Sequence, residues 1–349
     1  MNKLFKKSSV LLSVFVFIAS FWVTTSFAKV IKLAHVDPAN AFMSADHAAA
    51  VVFKSMVEAG TNGEIEVRIY AQSQLGNARD SMAMLKTGAL EAFISPAGGL
   101  TTLFPLLGVI DTPFAIPNMS VAWDVYDGWF GDKLKKMILD KTGIRLLEVM
   151  DQGGFFHFTN NKRPVTKLAD IKGIKFRTMT MPSHISFFRS MGATAIPIAW
   201  SELYTSLQTG VVDGQHNPFA PIQSAKLFEV QKYLTLSSHM WSTHWLLVND
   251  KWFASLSAEQ QKVVRNASIV AKTASRAITK IYESSEKGLP LIMKSMKVNA
   301  LSSAAKDEFA AVTIPAMTEF IKETLGDEGV ALQKDFLKAI RESRQKLNF

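Results

Sequence analysis

The chain has 349 residues, 48% of them hydrophobic and 20% charged, with a formal net charge of +9 and no cysteine. The missing thiols exclude a disulfide scaffold, zinc–thiolate sites and a cysteine nucleophile. Lys and Arg are spread out without a dense stripe interleaved with aromatics, which excludes a nucleic-acid surface of the usual kind, and the length predicts two domains rather than one.

Residues 1–28 combine a basic start (Lys3, Lys6, Lys7), a short apolar run, and small residues at Ser26 and Ala28 around Phe27. This predicts a secretory signal peptide cleaved before Lys29 and a periplasmic protein. A membrane anchor is the alternative, but the apolar run is short and ends in a cleavage-like site. Residues 1–28 hold three Lys and no Asp or Glu, so removing them takes the charge from +9 to +6 (9 − 3). A mild positive excess suits an anionic small molecule.

The mature segment alternates. "KVIKLAH" (29–35) predicts a strand and the next residues, to Asn40, a polar loop. "MSADHAAAVVFKSMVEAG" predicts a helix ending at Gly60. "EIEVRIY" alternates, with Ile65, Val67 and Ile69 on one face, "QLGNARDSMAMLKTGAL" is a helix and "EAFIS" a strand. The order predicts an α/β domain with a largely parallel sheet and a ligand at the carboxyl ends of its strands. A second series follows "IRLLEVMDQGG": strand "IKFRT", helix "SHISFFRSMG", strand "ATAIPI", helix "SELYTSLQTG" and strand "VVDG". Ser201 is placed as the N-cap of the last helix and Gly210 at its C-terminal end. The strand opens into Asp213-Gly214-Gln215-His216-Asn217-Pro218, rich in hydrogen-bonding groups. Two α/β units joined near residue 152 predict two lobes with a cleft between them.

Ser257 and Gln260 have capping-box spacing, and a helical pattern continues to Gly288 before Pro290, with Val263, Ala267, Val270, Ala274, Ile278 and Ile281 as one apolar stripe. A helix of about 30 residues is about 45 Å long and would brace both lobes; two shorter helices with a kink are the alternative. The expected boundaries are 29–152 plus about 242–281 for lobe I, 153–241 plus about 282–335 for lobe II, and a solvated helical tail at 336–349.

None of the seven histidines forms a metal pair flanking a glutamate, and Walker, dinucleotide and nucleophile-elbow patterns are absent. No enzyme, metal or cofactor is expected, although a triad assembled from distant residues leaves no sequence pattern.

The segment from Lys172 to His239 strongly resembles the solute-binding proteins of TRAP transporters (tripartite, ATP-independent, periplasmic), the DctP-like family. "QLGNARD", "LGVIDTPF" and "TNNKRP" extend the resemblance over essentially the whole mature chain. It implies a two-lobed periplasmic binding protein fold that closes around its ligand and delivers it to small and large membrane permease subunits. It also implies that Arg177, in "KFRT", grips an acidic group, with a planar fork suited to a carboxylate or a sulfonate. Asn217 matches a ligand-contacting asparagine, suited to an acid bearing a hydroxyl or keto group. Asp213 and Gly214 are assigned to the turn, and His216 stands where the family has glutamate. Trp200 matches a pocket-wall aromatic, with ordinary core packing as the alternative, and Trp241 is a candidate for the opposite wall. Arg79 is either a second anion contact or a brace of its lobe. Loops near His35, Arg79 and Ser95 would face the ligand from the other side.

Phe156 falls where the family carries an arginine that often adds a second positive contact. Its loss points to one anionic head between the apolar walls of Phe155, Phe156 and Trp200: a monocarboxylate, or a short sulfonate such as isethionate. A C4-dicarboxylate is the alternative ligand. The alternative role, with the same cleft, is presentation of a ligand to a sensor kinase. A monomer is expected.

Overall fold

A computed structural model describes residues 29–349; the expected signal peptide lies outside the described residues. The first sheet has the order β2-β1-β3-β10-β4, with β1 at Lys29–His35, β2 at Ile65–Tyr70, β3 at Ala92–Pro96, β4 at Ile144–Phe155 and β10 at Trp241–Asn249. β1 runs parallel to β2 and β3, while β10 is antiparallel to β3 and β4. The alternation read in "EIEVRIY" is real: Ile65 and Val67 are fully buried, Glu66 and Arg68 are not. The helix Ala45–Gly60 starts at Ser44, whose side chain accepts from the His47 N–H, and helix Ala78–Thr87 starts in a capping box of Asn77 and Asp80.

The second sheet has the order β11-β9-β5-β8-β6-β7, with β5 at His157–Asn160, β6 at Lys175–Thr178, β7 at Thr194–Pro197, β8 at Gly214–Asn217, β9 at Tyr233–Leu236 and β11 at Lys297–Ala300. The chain passes between sheets three times: from β10 to β11 by way of helices, and directly from β4 to β5 and from β9 to β10. Phe155 and Trp241 pair across the two direct crossings and meet edge to face at 4.9 Å. Near the end of β4, Gly153 and Gly154 have φ 88° and 89°, a region side chains disfavour.

The helix Ala258–Ser284 is continuous, with the Ser257–Gln260 capping box in place, and lies along helix Ala45–Gly60 and β4. It reaches the short helix Phe219–Ser224 of the second body, so it braces both lobes. The expected stripe is corrected. The buried face is Val264, Ala267, Ser268, Ala271, Ser275, Thr279 and Tyr282, while Val270 and Ile281 are exposed. Small and hydroxyl residues let the helix approach closely, and Ser275 Oγ donates to the Asp151 carbonyl at 3.0 Å.

Three further expectations change. "VVDG" is not the strand: Val211 is exposed, and β8 is the polar stretch Gly214–Asn217, buried throughout. Ser201 does not cap a helix; it lies inside a 3-10 turn, Trp200–Glu202, that leads into helix Leu203–Gln208. Gly210, at φ 75°, does follow the helix end. The segment 336–349 is not a solvated tail. It belongs to the helical stretch Ser303–Lys346, broken at Gly326, and buries Phe336, Ala339 and Ile340. Among the described residues no helix is long and apolar enough to cross a membrane.

Candidate functional site

A cavity of about 230 Å³ opens where the carboxyl ends of the parallel strands of both sheets converge. From the first sheet come Val36 after β1, and Pro96, Gly98 and Gly99 at and after β3; helix Ala78–Thr87 adds Ala78 and Arg79. From the second come Arg177 on β6, Trp200 and Ser201 after β7, and Asn217 at the end of β8. Gln152 of β4 lies between them.

Among the described residues no acidic side chain lines the cavity, and the two charged ones that do are both arginines. Arg177 is 3% exposed, and its Nε donates to the Ile198 carbonyl at 2.9 Å. Burial alone lowers its pKa to about 10, which leaves it charged at neutral pH. Its two Nη groups have no hydrogen-bond or ion-pair partner among the described residues. A buried cation without a counter-charge is costly. Arg79 is exposed at the rim.

The structure thus brings Arg177, Asn217, Trp200 and Arg79 around one cavity. It does not bring the other expected residues there. His35 is buried with Nε2 3.0 Å from His47 Nδ1, and desolvation pushes its pKa down to about 4. Ser95 is buried and donates to the Pro96 carbonyl, so β1 and β3 meet the cavity through Val36 and Pro96 instead. Trp241 and Phe156 line a smaller neighbouring space with Asp111 and His184, sharing only Pro96, Gln152 and Met179 with the main cavity. The expectation that Phe156 walls the main cavity is therefore corrected: its ring packs one layer behind.

That layer holds a chain of histidines that no spacing rule reveals. His184 Nδ1 is 3.0 Å from His216 Nε2, and His216 Nδ1 is 3.0 Å from His239 Nε2. His239 Nδ1 is 2.8 Å from Ser237 Oγ, and His184 Nε2 is 3.4 Å from Asp111. Burial first, then the neighbouring histidines, holds His216 and His239 well below the usual histidine pKa. They are neutral hydrogen-bonding links.

Sequence reasoning also missed Gln152, Ser73, Asn77, Met179, Thr180 and Ile198 in the lining. Gln152 before Gly153-Gly154 and Asn77 as the helix cap carried a signal; the others did not. Asp37, Asp46 and His244 place ligand-type atoms within 4.8 Å of one another, a set that could hold a metal ion. His244 Nδ1 is already hydrogen-bonded to Asp46 at 2.6 Å, which occupies two of the three groups.

The sequence model of the bacterial extracellular solute-binding protein family 7, the DctP family, matches residues 34–324. The chain belongs to this family. The 2,3-diketo-L-gulonate-binding periplasmic protein of Escherichia coli is 30% identical over 79% of this chain and 86% of its own length. The structure of a sugar acid binding protein from Advenella mimigardefordensis, in complex with galactonate, superposes with a TM-score of 0.84 at 30% identity, covering 90% of this chain and 99% of that one. A TRAP periplasmic solute-binding protein from Bordetella bronchispeptica, described with pantoate, gives 0.81 at 32% identity over 90% and 99%. The DctP family comprises extracytoplasmic substrate-binding proteins, not enzymes, that take up small organic acids and work with membrane permeases.

Within this DctP-family chain, Phe156 and His216 stack at 4.6 Å with an interplanar angle of 26°. These are the two positions where the family resemblance places an arginine and a glutamate. In this chain an apolar ring on a neutral imidazole stands at these two positions. Phe156→Arg and His216→Glu are each expected to destabilise the fold by several kcal/mol, because each buries a charge where a neutral ring now packs. The double variant should recover much of the loss, with a coupling of at least about 1 kcal/mol in a double-mutant cycle read by urea unfolding. Additive losses would show that the two positions act independently.

Proposed function

We propose that this protein captures a small organic anion with one charged head, a monocarboxylate or short sulfonate, and delivers it to TRAP membrane subunits. The observation that supports it is Arg177: a buried guanidinium, free of any acidic partner among the described residues, in a cavity without acidic side chains. Preference for one charge rests on the contrast between the two arginines. Arg177 is desolvated, whereas exposed Arg79 offers a second carboxylate only a screened contact of about 0–1 kcal/mol. Because Arg79 is in the lining, a C4-dicarboxylate is the second reading.

Ligand groups contributed from both sheets suit closure of the two lobes about the crossings near residues 153–156 and 237–241. The test starts with mass spectrometry of the ligand released from natively purified protein, followed by calorimetry with matched mono- and dianions. A monoanion should win by at least about tenfold, since an unpaired second charge is costly to bury. At about 100 times its dissociation constant it should stabilise the fold by about 2.7 kcal/mol and reduce the radius of gyration. Succinate or malate binding more tightly than every monoanion would reverse the choice of ligand; no anion binding at all would remove the proposal.

A further inference from the structure

Behind Asn217 lies a polar chain whose donors and acceptors can be arranged in only one way. Gln231 Nε2 lies 3.0 Å from the Val230 carbonyl and 3.3 Å from that of Asp213. Carbonyl oxygens only accept, so the amide nitrogen of Gln231 must face them and its Oε1 must face the other way. Thr159 Oγ1 is 2.8 Å from that Oε1 and must donate to it. With its proton used, the Thr159 hydroxyl accepts from Gln215 Nε2 at 2.9 Å. Gln215 Oε1 then faces Asn217 and accepts from its Nδ2. All of these side chains are buried, so no water competes for the links.

The consequence falls on the cavity. Asn217 Oδ1 accepts from no protein donor among the described residues, and Asn217 lines the cavity on a strand close to Arg177. We infer that the Gln231–Thr159–Gln215 chain locks the Asn217 amide with its carbonyl oxygen toward the ligand, so the site selects anions that carry a hydroxyl beside the anionic head over their oxo and deoxy counterparts. This rests on the anion reading of the cavity proposed above. A hydroxyl can donate to Oδ1 and accept from the remaining Nδ2 hydrogen. An oxo group can only accept, so Oδ1 faces its lone pairs unsatisfied, and a deoxy ligand satisfies neither. The selection is independent of whether the head is carboxylate or sulfonate. Thr159 and Gln231 are positioning residues, since neither lines the cavity.

The test is calorimetry on the full mature chain with pairs that differ at one carbon: lactate against pyruvate, gluconate against 2-oxogluconate, and isethionate against ethanesulfonate. The hydroxylated member should bind at least about tenfold more tightly in every pair that binds. Thr159→Val removes the middle link, lets both amides turn, and should bring the ratio to within about threefold without weakening the oxo or deoxy member. Thr159→Ser keeps the hydroxyl and should keep the ratio. Equal binding within the wild-type pairs overturns the inference and leaves the anion reading standing, and needs no variant to fold. A ratio that Thr159→Val leaves intact also overturns the lock. If none of the six anions binds, the anion reading fails and the inference with it.

Discussion

Arg177→Ala is expected to weaken ligand binding at least about a hundredfold while leaving the unliganded protein folded. Removing one partner of a buried charge pair costs about 3–5 kcal/mol, because the other charge is left desolvated and unpaired, and each 1.4 kcal/mol is a factor of about ten in affinity. In the free protein the sign is reversed. Arg177 has no acidic partner among the described residues, and its burial is a cost that alanine relieves. The melting temperature without ligand should hold or rise, which separates a binding residue from a structural one. Arg177→Lys should also bind poorly. The Nε–H that anchors the side chain to the Ile198 carbonyl is lost, and an ammonium cannot present two parallel donors. Calorimetry showing less than a tenfold loss for the alanine variant would remove Arg177 from the centre of the site.

Gly214→Ala should be the most damaging small substitution in the second lobe. A Cβ at Gly214 would lie 2.3 Å from the Thr159 carbonyl oxygen, 2.9 Å from Asn160 Cβ and 3.0 Å from Phe176 Cε1. β8 lies between β5 and β6, so the clash cannot be relieved on one side without compressing the other. Overpacking of this kind costs about 1–3 kcal/mol or more, and it would shift Gln215 and Asn217, so affinity should fall together with stability. Gly210→Ala is the control. It also replaces a glycine, but nothing lies within 4 Å of its added carbon, and only its φ of 75° is strained. It should cost about 1 kcal/mol and spare binding. Equal urea midpoints for Gly214→Ala and the wild type would contradict the close approach.

The first lobe could be read from the sequence because its elements bury large apolar groups at regular spacing: Ile31 and Leu33 on β1, Ile65 and Val67 on β2, Phe53 and Val57 on the first helix. Arg177 and Asn217 were found through the resemblance, and Gly210 through the geometry a helix end requires. β8 was misplaced because its four residues are buried by pairing polar groups with each other, through Thr159, Gln231 and the histidines, and such a strand has the composition of a loop. The long helix was found by its cap but rotated in the prediction, since its buried face is made of Ala and Ser rather than Val and Ile. Phe156 was placed on the cavity because a sequence position does not reveal depth. One layer separates a ring that touches the ligand from one that supports His216.

The broken helical stretch Ser303–Lys346 bears on the order of synthesis. Its buried Phe336 packs 5.2 Å from Phe130 and 6.5 Å from Tyr126, and Glu328 pairs with Lys141 at 2.9 Å, joining parts of the chain made about 200 residues apart. The helices Met119–Asp127 and Trp129–Thr142 keep an unfilled apolar face until residues beyond Phe336 exist. The first lobe is therefore begun by the ribosome early and completed late. Contacts of this sequence separation raise the contact order of the fold and are expected to make the closing of the first lobe a slow step.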